Sequence, residues 1–360
     1  MTATLIDTVR AVVDPDLRRP VGTLGMIREV TIADGIARIG LMVPSSGWHA
    51  APLVAAIRAA VDGFGIERGE VDVGFMDDDA RVALAAELRR DRPAMPGGQG
   101  SKTRVIAVAS GKGGVGKSSV TANLAVALHR AGLDVAVVDA DVWGYSIPRM
   151  LSIEHPPQAV DAMIIPSGAH GVRAISMDFF VPSDEAVVWR GPMLHKALEQ
   201  FLGDVFWDEP DILLVDMPPG TGDVAISMSQ FLPRSQTIVV TTPQITAQRV
   251  AKRAAGMAKK VNQEVLGVVE NMSWFTGDDG KRYEIFGSGG GAELAGELGV
   301  PLLGSIPLLP AMRQGADNGE PVALAAPGSE AEQAFTAIAA QVIELRPRVR
   351  THPELVIRPP

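Results

Sequence analysis

The stretch from Val105 to Ser119 constrains this 360-residue chain more than any other part of it. It reads VIAVASGKGGVGKSS: an apolar run, a glycine-rich loop with two lysines, and a hydroxyl pair that opens a helical pattern. A glycine-rich turn between a buried strand and a helix start leaves several backbone N–H groups without partners, all pointing into one concavity. This order of residues therefore predicts a nucleotide phosphate site.

The loop matches the pattern G-x-x-x-x-G-K-[ST] from Gly111 to Ser118. Lys117 is placed to reach the β- and γ-phosphates, and Ser118 is placed to ligate Mg²⁺. The alternative is a glycine-rich turn that arises by chance. The nucleotide-binding residues predicted here are Gly111, Lys112, Gly113, Gly114, Val115, Gly116, Lys117, Ser118 and Ser119.

Composition argues against several classes of protein. The formal charge of −9 argues against a dedicated nucleic-acid binder. No apolar run approaches the roughly 18 residues of a membrane span, and Asp7 and Asp14 interrupt the first segment, so a cytoplasmic protein is expected. The chain has no cysteine, which excludes disulfides and any thiolate ligand for zinc or for an iron–sulfur cluster.

The apolar patterns predict two folded units. Residues 1–91 are predicted as a small α/β domain, 92–103 as a Pro/Gly-rich linker, 104–345 as the nucleotide-binding domain and 346–360 as an Arg/Pro-rich tail. The tail is expected to be solvated, and the alternative is an anionic partner. In the larger domain, strand-like runs alternate with helical patterns, which predicts an α/β fold with a mainly parallel sheet flanked by helices. Its predicted strands are 105–109, 135–139, 212–216, 237–241, 266–269 and 302–306.

Three aspartates follow strands that should end beside the loop. Asp216 ends an apolar run, which is the arrangement of a carboxylate that holds Mg²⁺. Asp139 is predicted to support the same metal, and Asp141 to orient or deprotonate the attacking water. For a single strand-end aspartate, the alternative is a helix cap or a turn former. Three of them behind a complete phosphate loop favour function.

Lys112 is not needed to bind phosphate, and by itself it would be a solvated loop charge. However, residues 111–118 resemble the deviant Walker A motif of the MinD, ParA and nitrogenase-iron-protein class. That resemblance implies an ATP-hydrolysing homodimer in which Lys112 reaches the partner's nucleotide and stabilises the transferring phosphoryl group.

Five motifs are similar, in order, to the Mrp/NBP35-type P-loop ATPases, a family of iron–sulfur cluster carriers. They lie at 139–149, 188–193, 216–223, 270–273 and 285–291. The first 90 residues resemble the iron–sulfur-assembly domain often fused to these ATPases, through 13–17 and 24–26. The resemblance also implies that Asn271 reads the adenine edge; the alternative is a turn residue.

The sequence departs from this family at the cluster ligands. Where the carriers have a Cys-x-x-Cys pair, residues 274–282 read WFTGDDGKR, for which a polar hairpin turn is predicted. Oxygen ligands from Asp278 and Asp279 do not replace thiolates around iron–sulfur units. Either the chain assists cluster maturation by binding another carrier, or it has a different client. The predicted function is therefore an ATPase of cluster assembly or transfer whose partners are client apoproteins or a cluster scaffold. The alternatives are a MinD/ParA-like spatial-organisation ATPase and a nucleotide-switched scaffold with negligible turnover.

Overall fold

The computed structural model describes residues 2–64, 66, 68–90, 92–141, 144–180, 191–220, 227–228, 230–260 and 263–345. The predicted tail at 346–360 lies outside the described residues, as do parts of three motifs, at 142–143, 188–190 and 221–223. Two units follow each other along the chain, each with its own sheet.

The N-terminal unit is built on a three-stranded sheet of order β1-β2-β3. Its elements are α1 (Thr2–Arg10), β1 (Ile27–Ala33), β2 (Ile36–Val43), α2 (Ala51–Asp62), β3 (Arg68–Phe75) and α3 (Asp78–Arg90). The β1–β2 turn residues Asp34 and Gly35 have φ values of 53° and 76°, as a two-residue hairpin turn with two positive φ angles requires. Strand β3 returns parallel to β2 after α2. This unit has the predicted α/β organisation.

The larger unit contains an eight-stranded sheet of order β15-β12-β11-β4-β10-β5-β9-β8. All its strand pairs are parallel except β8–β9, so the predicted mainly parallel sheet is confirmed. The strands are β4 (Arg104–Ser110), β5 (Val135–Asp139), β6 (Gln158–Val160), β7 (Met163–Ile165), β8 (Ser167–Ala169), β9 (Val172–Ser176), β10 (Ile212–Asp216), β11 (Gln236–Thr241), β12 (Glu264–Glu270), β13 (Phe275–Thr276), β14 (Arg282–Tyr283) and β15 (Leu302–Ser305).

Helices cover both faces of this sheet. They are α4 (Lys117–Arg130), α5 (Ile147–Met150), α6 (Gly191–Gly203), α7 (Ile245–Lys260), α8 (Gly290–Leu298), α9 (Pro310–Asn318), α10 (Val322–Ala325) and α11 (Glu330–Glu344). Buried side chains of α4 and α11 form one core against the sheet, and side chains of α6 belong to another. No helix in the described residues combines the length and the apolar character that a membrane span needs.

Strand β4 lies between β10 and β11, although β5 follows it in the chain. The order of the strands therefore reverses beside β4, and a parallel sheet opens a crevice at the carboxyl ends of its strands at such a point. The glycine-rich loop follows β4 directly, so the topology places it at this crevice.

The two units share a hydrophobic core. Val160, Met163 and Ile165 of the β6–β7 hairpin, together with Phe206, are buried in the core of the N-terminal unit. A polar contact adds to this interface, because Asp134 lies 2.5 Å from Arg18 Nη1 and accepts a hydrogen bond from Arg173 Nη2 (2.8 Å).

The segment predicted as a linker, 92–103, lies against the larger unit. Pro96 is buried, and a Cβ atom on Gly97 would lie 2.8 Å from Leu232 and 3.0 Å from Val105. The central part of this segment is therefore packed on the larger unit.

Candidate nucleotide-binding site

The glycine-rich loop forms the turn from β4 into α4. Gly116, which precedes the helix, has a φ of 79°, and Gly114 has a φ of 80°, both in the region that side-chain-bearing residues rarely adopt. Gly111 is required for a different reason. A Cβ atom there would lie 2.2 Å from the carbonyl carbon of Val250 in α7, so only glycine lets the loop approach this helix.

The loop borders a cavity of about 380 Å³. It is lined by Ser110, Lys112, Gly113, Gly114, Val115, Gly116, Lys117, Ser118, Ser119, Asp141, Gly144 and Pro219. The first turn of α4 lies in this lining, and the free N–H groups of a helix start attract phosphate. The structure therefore brings together the predicted loop residues and Asp141. Gly111 lies behind the loop against α7, and Asn271 is not in the lining.

The buried Asp216 carboxylate contacts three side chains at the start of α4. Its Oδ2 atom lies 2.6 Å from Lys117 Nζ and accepts a hydrogen bond of 2.6 Å from Ser118 Oγ. Its Oδ1 atom accepts a hydrogen bond of 2.6 Å from Thr121 Oγ1. Sequence reasoning did not identify Thr121, because a threonine one turn into a helix gives no sign that a neighbouring strand ends beside it.

Asp141 faces the cavity beside Lys117. It is 7% exposed, its Oδ2 atom lies 3.5 Å from Lys117 Nζ, and its Oδ1 atom accepts a hydrogen bond from the Gly144 amide (3.1 Å). A carboxylate held in this way can accept a proton or a hydrogen bond from a molecule in the cavity.

Asp139 organises the loop that follows β5. Its Oδ2 atom accepts hydrogen bonds from the amides of Ser146 (3.0 Å) and Ile147 (3.2 Å) and from Ser176 Oγ (3.1 Å). Burial and the nearby Asp216 carboxylate raise the pKa of Asp139 to about 7. Both its oxygens already accept hydrogen bonds, since Oδ1 accepts one from the Asp141 amide (3.2 Å). A metal role for Asp139 requires some of these bonds to be released, and it stays a prediction.

Lys112 crosses the mouth of the loop toward α7. Its Nζ atom donates to Gln244 Oε1 of the same chain (3.3 Å), and Gln244 Oε1 also accepts from Thr242 Oγ1 (3.4 Å). Sequence reasoning did not single out Gln244; its place just after β11 was the only available signal. The contact holds Lys112 at the rim of the cavity.

Asn271 supports the loop from behind. Its side chain is 4% exposed, and Nδ2 donates to the Val115 carbonyl (2.9 Å). A Cβ atom on Gly116 would lie 2.3 Å from this nitrogen, so Asn271 and Gly116 fit each other closely. The adenine-reading role of Asn271 stays a prediction, and the structure adds a role in positioning the loop.

Residues 274–282, for which a polar hairpin turn was predicted, contain a short hairpin. Strands β13 and β14 pair through Phe275–Tyr283 and Thr276–Arg282. Glu330, at the start of α11, accepts hydrogen bonds from Trp274 Nε1, Thr276 Oγ1 and Arg282 Nη2. Within the described residues there is no group of three or more His, Cys, Asp or Glu side chains that could hold a metal ion.

A glycine-rich loop after a central parallel strand, followed by Lys-Ser and faced by a strand-end aspartate, defines a P-loop nucleoside triphosphatase. The comparison with family models gives the particular family. Residues 101–343 match the model of the NUBPL iron-transfer P-loop NTPase, and residues 2–73 match the model of an iron-sulfur cluster assembly protein. The chain belongs to the NUBPL iron-transfer P-loop NTPase family.

Curated relatives have both units. An iron-sulfur cluster carrier protein of Mycobacterium tuberculosis is 45% identical over 341 residues, which cover 91% of this chain and 90% of the relative. A protein of the same name from Synechocystis is 39% identical over 357 residues, with 95% and 96% covered.

Solved structures resemble the larger unit. A nucleotide-binding protein from Archaeoglobus fulgidus in complex with ADP is 34% identical, with a TM-score of 0.53, and the match covers 60% of this chain and 86% of that protein. The septum site-determining protein MinD from Pyrococcus horikoshii, complexed with Mg-ADP, is 27% identical with a TM-score of 0.52, covering 68% and 97%. Both of these neighbours were solved with ADP bound.

Proposed function

We propose that this protein is a cytoplasmic homodimer that hydrolyses ATP and uses the cycle in the assembly or transfer of iron–sulfur clusters. The observation that carries the proposal is the cluster of Ser118, Asp141 and Asp216 around Lys117 at a glycine-lined cavity. Relatives that cover nine-tenths of the chain are named iron-sulfur cluster carriers. Because this chain has no cysteine, the thiolates would come from a client apoprotein or a cluster scaffold.

The loop would bind the triphosphate through its backbone amides and the start of α4. Lys117 supplies a buried positive charge, 6% exposed, in the cavity wall. Ser118 Oγ and Asp216 Oδ2, 2.6 Å apart, are the kind of hard oxygen donors that Mg²⁺ prefers. These two residues would hold Mg²⁺, which neutralises phosphate charge when it is bound.

Asp141 is the residue that we assign to the attacking water. It is the carboxylate in the cavity lining, and its hydrogen bond from the Gly144 amide fixes its orientation. Lys117 Nζ lies 3.5 Å from Asp141 Oδ2 and helps to hold the carboxylate where it can accept a hydrogen bond from water.

Lys112 is assigned to the partner's nucleotide. In one chain its ammonium donates to Gln244 Oε1 at 3.3 Å, which is long for an N–H···O hydrogen bond. Dimer closure would move this charge onto the transferring phosphoryl group of the partner subunit. Hydrolysis would then depend on the dimer.

The test is Lys112→Ala. We expect ATP binding to persist, while ATP-driven dimerisation is lost and hydrolysis falls on the order of 10³-fold, the effect of removing a charge supplied in trans. Equilibrium ATP binding, light scattering and phosphate release measure the three quantities. The matched control is Lys102→Ala, since Lys102 is 87% exposed and pairs with Glu209 away from the loop. If dimerisation and hydrolysis both survived in Lys112→Ala, the proposed role of Lys112 would be wrong.

The role in cluster chemistry has a separate test. Anaerobic reconstitution with iron and sulfide should give no cluster absorbance with this chain alone, and cluster absorbance when a thiol-bearing scaffold protein is added. Iron counting on the isolated complex, with and without ATP, shows whether the nucleotide changes the transfer. A single-turnover hydrolysis measurement distinguishes this ATPase from a nucleotide-switched scaffold. Iron bound equally well without the scaffold would contradict the need for a partner's thiols.

A further inference from the structure

The N-terminal unit has an open groove that the nucleotide chemistry does not use. It has a volume of about 630 Å³ and lies between α2, the loop before it and the edge strand β3. Its apolar walls include Trp48, Val54, Val73 and Phe75. Val73 and Phe75 are 38% and 58% exposed, an unusual position for large apolar side chains that lie next to a core.

The groove is a part of the core face of the sheet that no described residue covers. Val73 pairs with Leu41 and Phe75 pairs with Val43 in the parallel register, so these side chains point to the same face. Leu41 and Val43 are 0% and 1% exposed, which identifies this face as the core side. Helix α2 covers the face along its buried residues but leaves the C-terminal end of β3 open.

Strand β3 is also an edge strand, with no further strand beside it in the part of the chain that the structure describes. It is the last strand of the sheet, and its pairing with β2 runs from Arg68 to Phe75 without a bulge. The opposite edge, β1, has an irregularity between Ile27 and Glu29, a feature that discourages pairing. A long regular edge beside an apolar groove is a template for a further strand.

The charged side chains in and near the groove indicate which kind of ligand it binds. Arg58 lines it and forms no ion pair within the described part of the chain. Glu70 lies one register position from Val71, so it projects from the opposite face, where it pairs with Arg38. His49, the other basic group of the lining, stacks on His155 with 4.2 Å between the ring centres, and it opposes the rise in the pKa of the nearby Asp16 carboxyl. Arg58 is therefore the exposed cation of the lining that is available to a carboxylate.

We propose that this groove binds an extended segment of another protein, which adds to the edge of β3, packs apolar side chains on Val73 and Phe75, and places a carboxylate beside Arg58. The proposal rests on the proposed function only in calling that protein a client. Backbone hydrogen bonds would supply part of the affinity, and the groove and Arg58 would supply the specificity.

The test is fluorescence anisotropy on the full chain without nucleotide. The probe is a labelled dodecapeptide in which threonine alternates with valine, phenylalanine and aspartate; a second peptide has lysine for aspartate, and a third has prolines at the threonine positions. We expect only the first to bind well. Arg58→Glu should weaken it by about tenfold or more, since a charge-assisted contact becomes repulsive. Val73→Asp should abolish binding.

Two substitutions serve as controls. Arg28→Glu reverses a charge at the β1 edge of the same sheet, and Val82→Asp changes an apolar residue on α3 that is 68% exposed. Both should bind the first peptide normally, and thermal melts should show that all four variants are folded. Equal binding of the three peptides, equal losses in the controls or no binding at all would overturn the proposal. Nucleotide-independent self-association that Val73→Asp abolishes would assign the groove to a second copy instead.

ATP hydrolysis of the same variants separates this inference from the proposed function. Peptide binding without hydrolysis would leave the groove established and refute the ATPase. Normal hydrolysis without peptide binding would refute the docking site alone.

Discussion

Gly116 is the loop residue with two independent constraints. Its φ of 79° disfavours any side chain, and a Cβ atom would lie 2.3 Å from Asn271 Nδ2. We expect Gly116→Ala to lower the free energy of unfolding by about 1–3 kcal/mol and to weaken ATP binding, because the loop must shift. Denaturant unfolding and calorimetric titration measure both effects.

Gly113 provides the matched control, because a Cβ atom there has no neighbour within 4 Å. Gly113→Ala should be much milder in both measurements. Adding Asn271→Ala to Gly116→Ala should remove the contact but not the φ strain, and so restore only part of the stability. Equal effects of the two glycine substitutions would show that the loop is less constrained than its geometry indicates.

Asp14 predicts a pH dependence of stability. Its side chain is fully buried, and Oδ1 accepts hydrogen bonds from the amides of Asp16 (3.0 Å) and Leu17 (2.8 Å). Among the described residues, no donor lies within hydrogen-bond distance of Oδ2. Burial raises its pKa from 3.8 to about 6. The folded protein therefore holds a proton that the unfolded chain has lost, and stability falls as the pH rises from about 4 to 6.

The measurement is denaturant unfolding of Asp14→Asn across this pH range. Asparagine keeps the Oδ1 acceptor and cannot ionise, so we expect a smaller decline, by up to about 3 kcal/mol for a shift of this size. The stability of Asp14→Asn should still fall somewhat as the pH rises, because the pKa values of Asp16 and Asp139 are also raised, to about 6 and about 7. A slope unchanged from the parent protein would contradict the assignment, and the exposed Asp62→Asn is the control.

Sequence reasoning predicted the part of the site that belongs to one local motif. The loop and Asp141 line a common cavity, and Lys117 and Ser118 meet Asp216, because a strand-end position and a helix start are readable from pattern. Thr121 and Gln244 were not predicted. Thr121 contacts Asp216, and Gln244 contacts Lys112. In both pairs the two residues are distant in sequence, so no local pattern specifies the contact.

At the level of elements, the predicted strands of the large sheet are present, but β8 and β9 were missed. Strand β9 is buried at every position, including Arg173, which is 3% exposed. An arginine in the middle of a short run breaks the apolar pattern of a central strand. The structure resolves this conflict by pairing Arg173 with Asp134 and with the Trp207 carbonyl, contacts that are invisible in sequence.

The β13–β14 hairpin depends on Glu330. Three hydrogen bonds, from Trp274 (3.0 Å), Thr276 (2.8 Å) and Arg282 (2.7 Å), lower the pKa of Glu330 to about 2. The folded pKa lies below the ordinary value of 4.5, so this stabilisation is present above pH 4.5 and is lost as the pH falls through 2.

We expect Glu330→Ala to speed hydrogen exchange of the amides in 275–283. The loss of stability at neutral pH should be only about 1 kcal/mol, because solvent screens a carboxylate that is 40% exposed. Exchange measured by mass spectrometry checks the first effect, and denaturant unfolding at pH 7 checks the second. Glu293→Ala, an exposed first-turn residue of α8, is the control. Unchanged exchange in the hairpin would show that it is held by other contacts.

At the scale of the whole molecule, Phe206 joins the two units. It is 1% exposed within the N-terminal core, and the Arg19 guanidinium lies 5.4 Å from its ring centre. We expect Phe206→Ala to cost about 3–5 kcal/mol and to split thermal unfolding into two transitions, because the cavity opens at the junction. Differential scanning calorimetry measures the number of transitions.

Phe335→Ala is the matched substitution within the larger core, where Phe335 is also 1% exposed. It should lower the free energy of unfolding by a similar amount and leave a single thermal transition, because the contact between the two units is intact. A single transition in Phe206→Ala would mean that the units unfold together without this contact. Sequence patterns could not show this junction, since the short apolar runs at 158–165 do not specify which core they enter.

The β6–β7 hairpin has a consequence for how this protein could be rearranged. The two family matches, 2–73 and 101–343, meet near the segment 92–103, which looks like the place to cut the chain. However, Val160, Met163 and Ile165 pack in the core of the N-terminal unit, although they lie within the sequence of the larger unit. A chimaera with the N-terminal domain of a relative would need the relative's hairpin and its counterpart of Phe206 as well. The segments that must be exchanged together are therefore not continuous in the sequence. A truncation at 92–103 would expose core side chains as an apolar surface that favours aggregation.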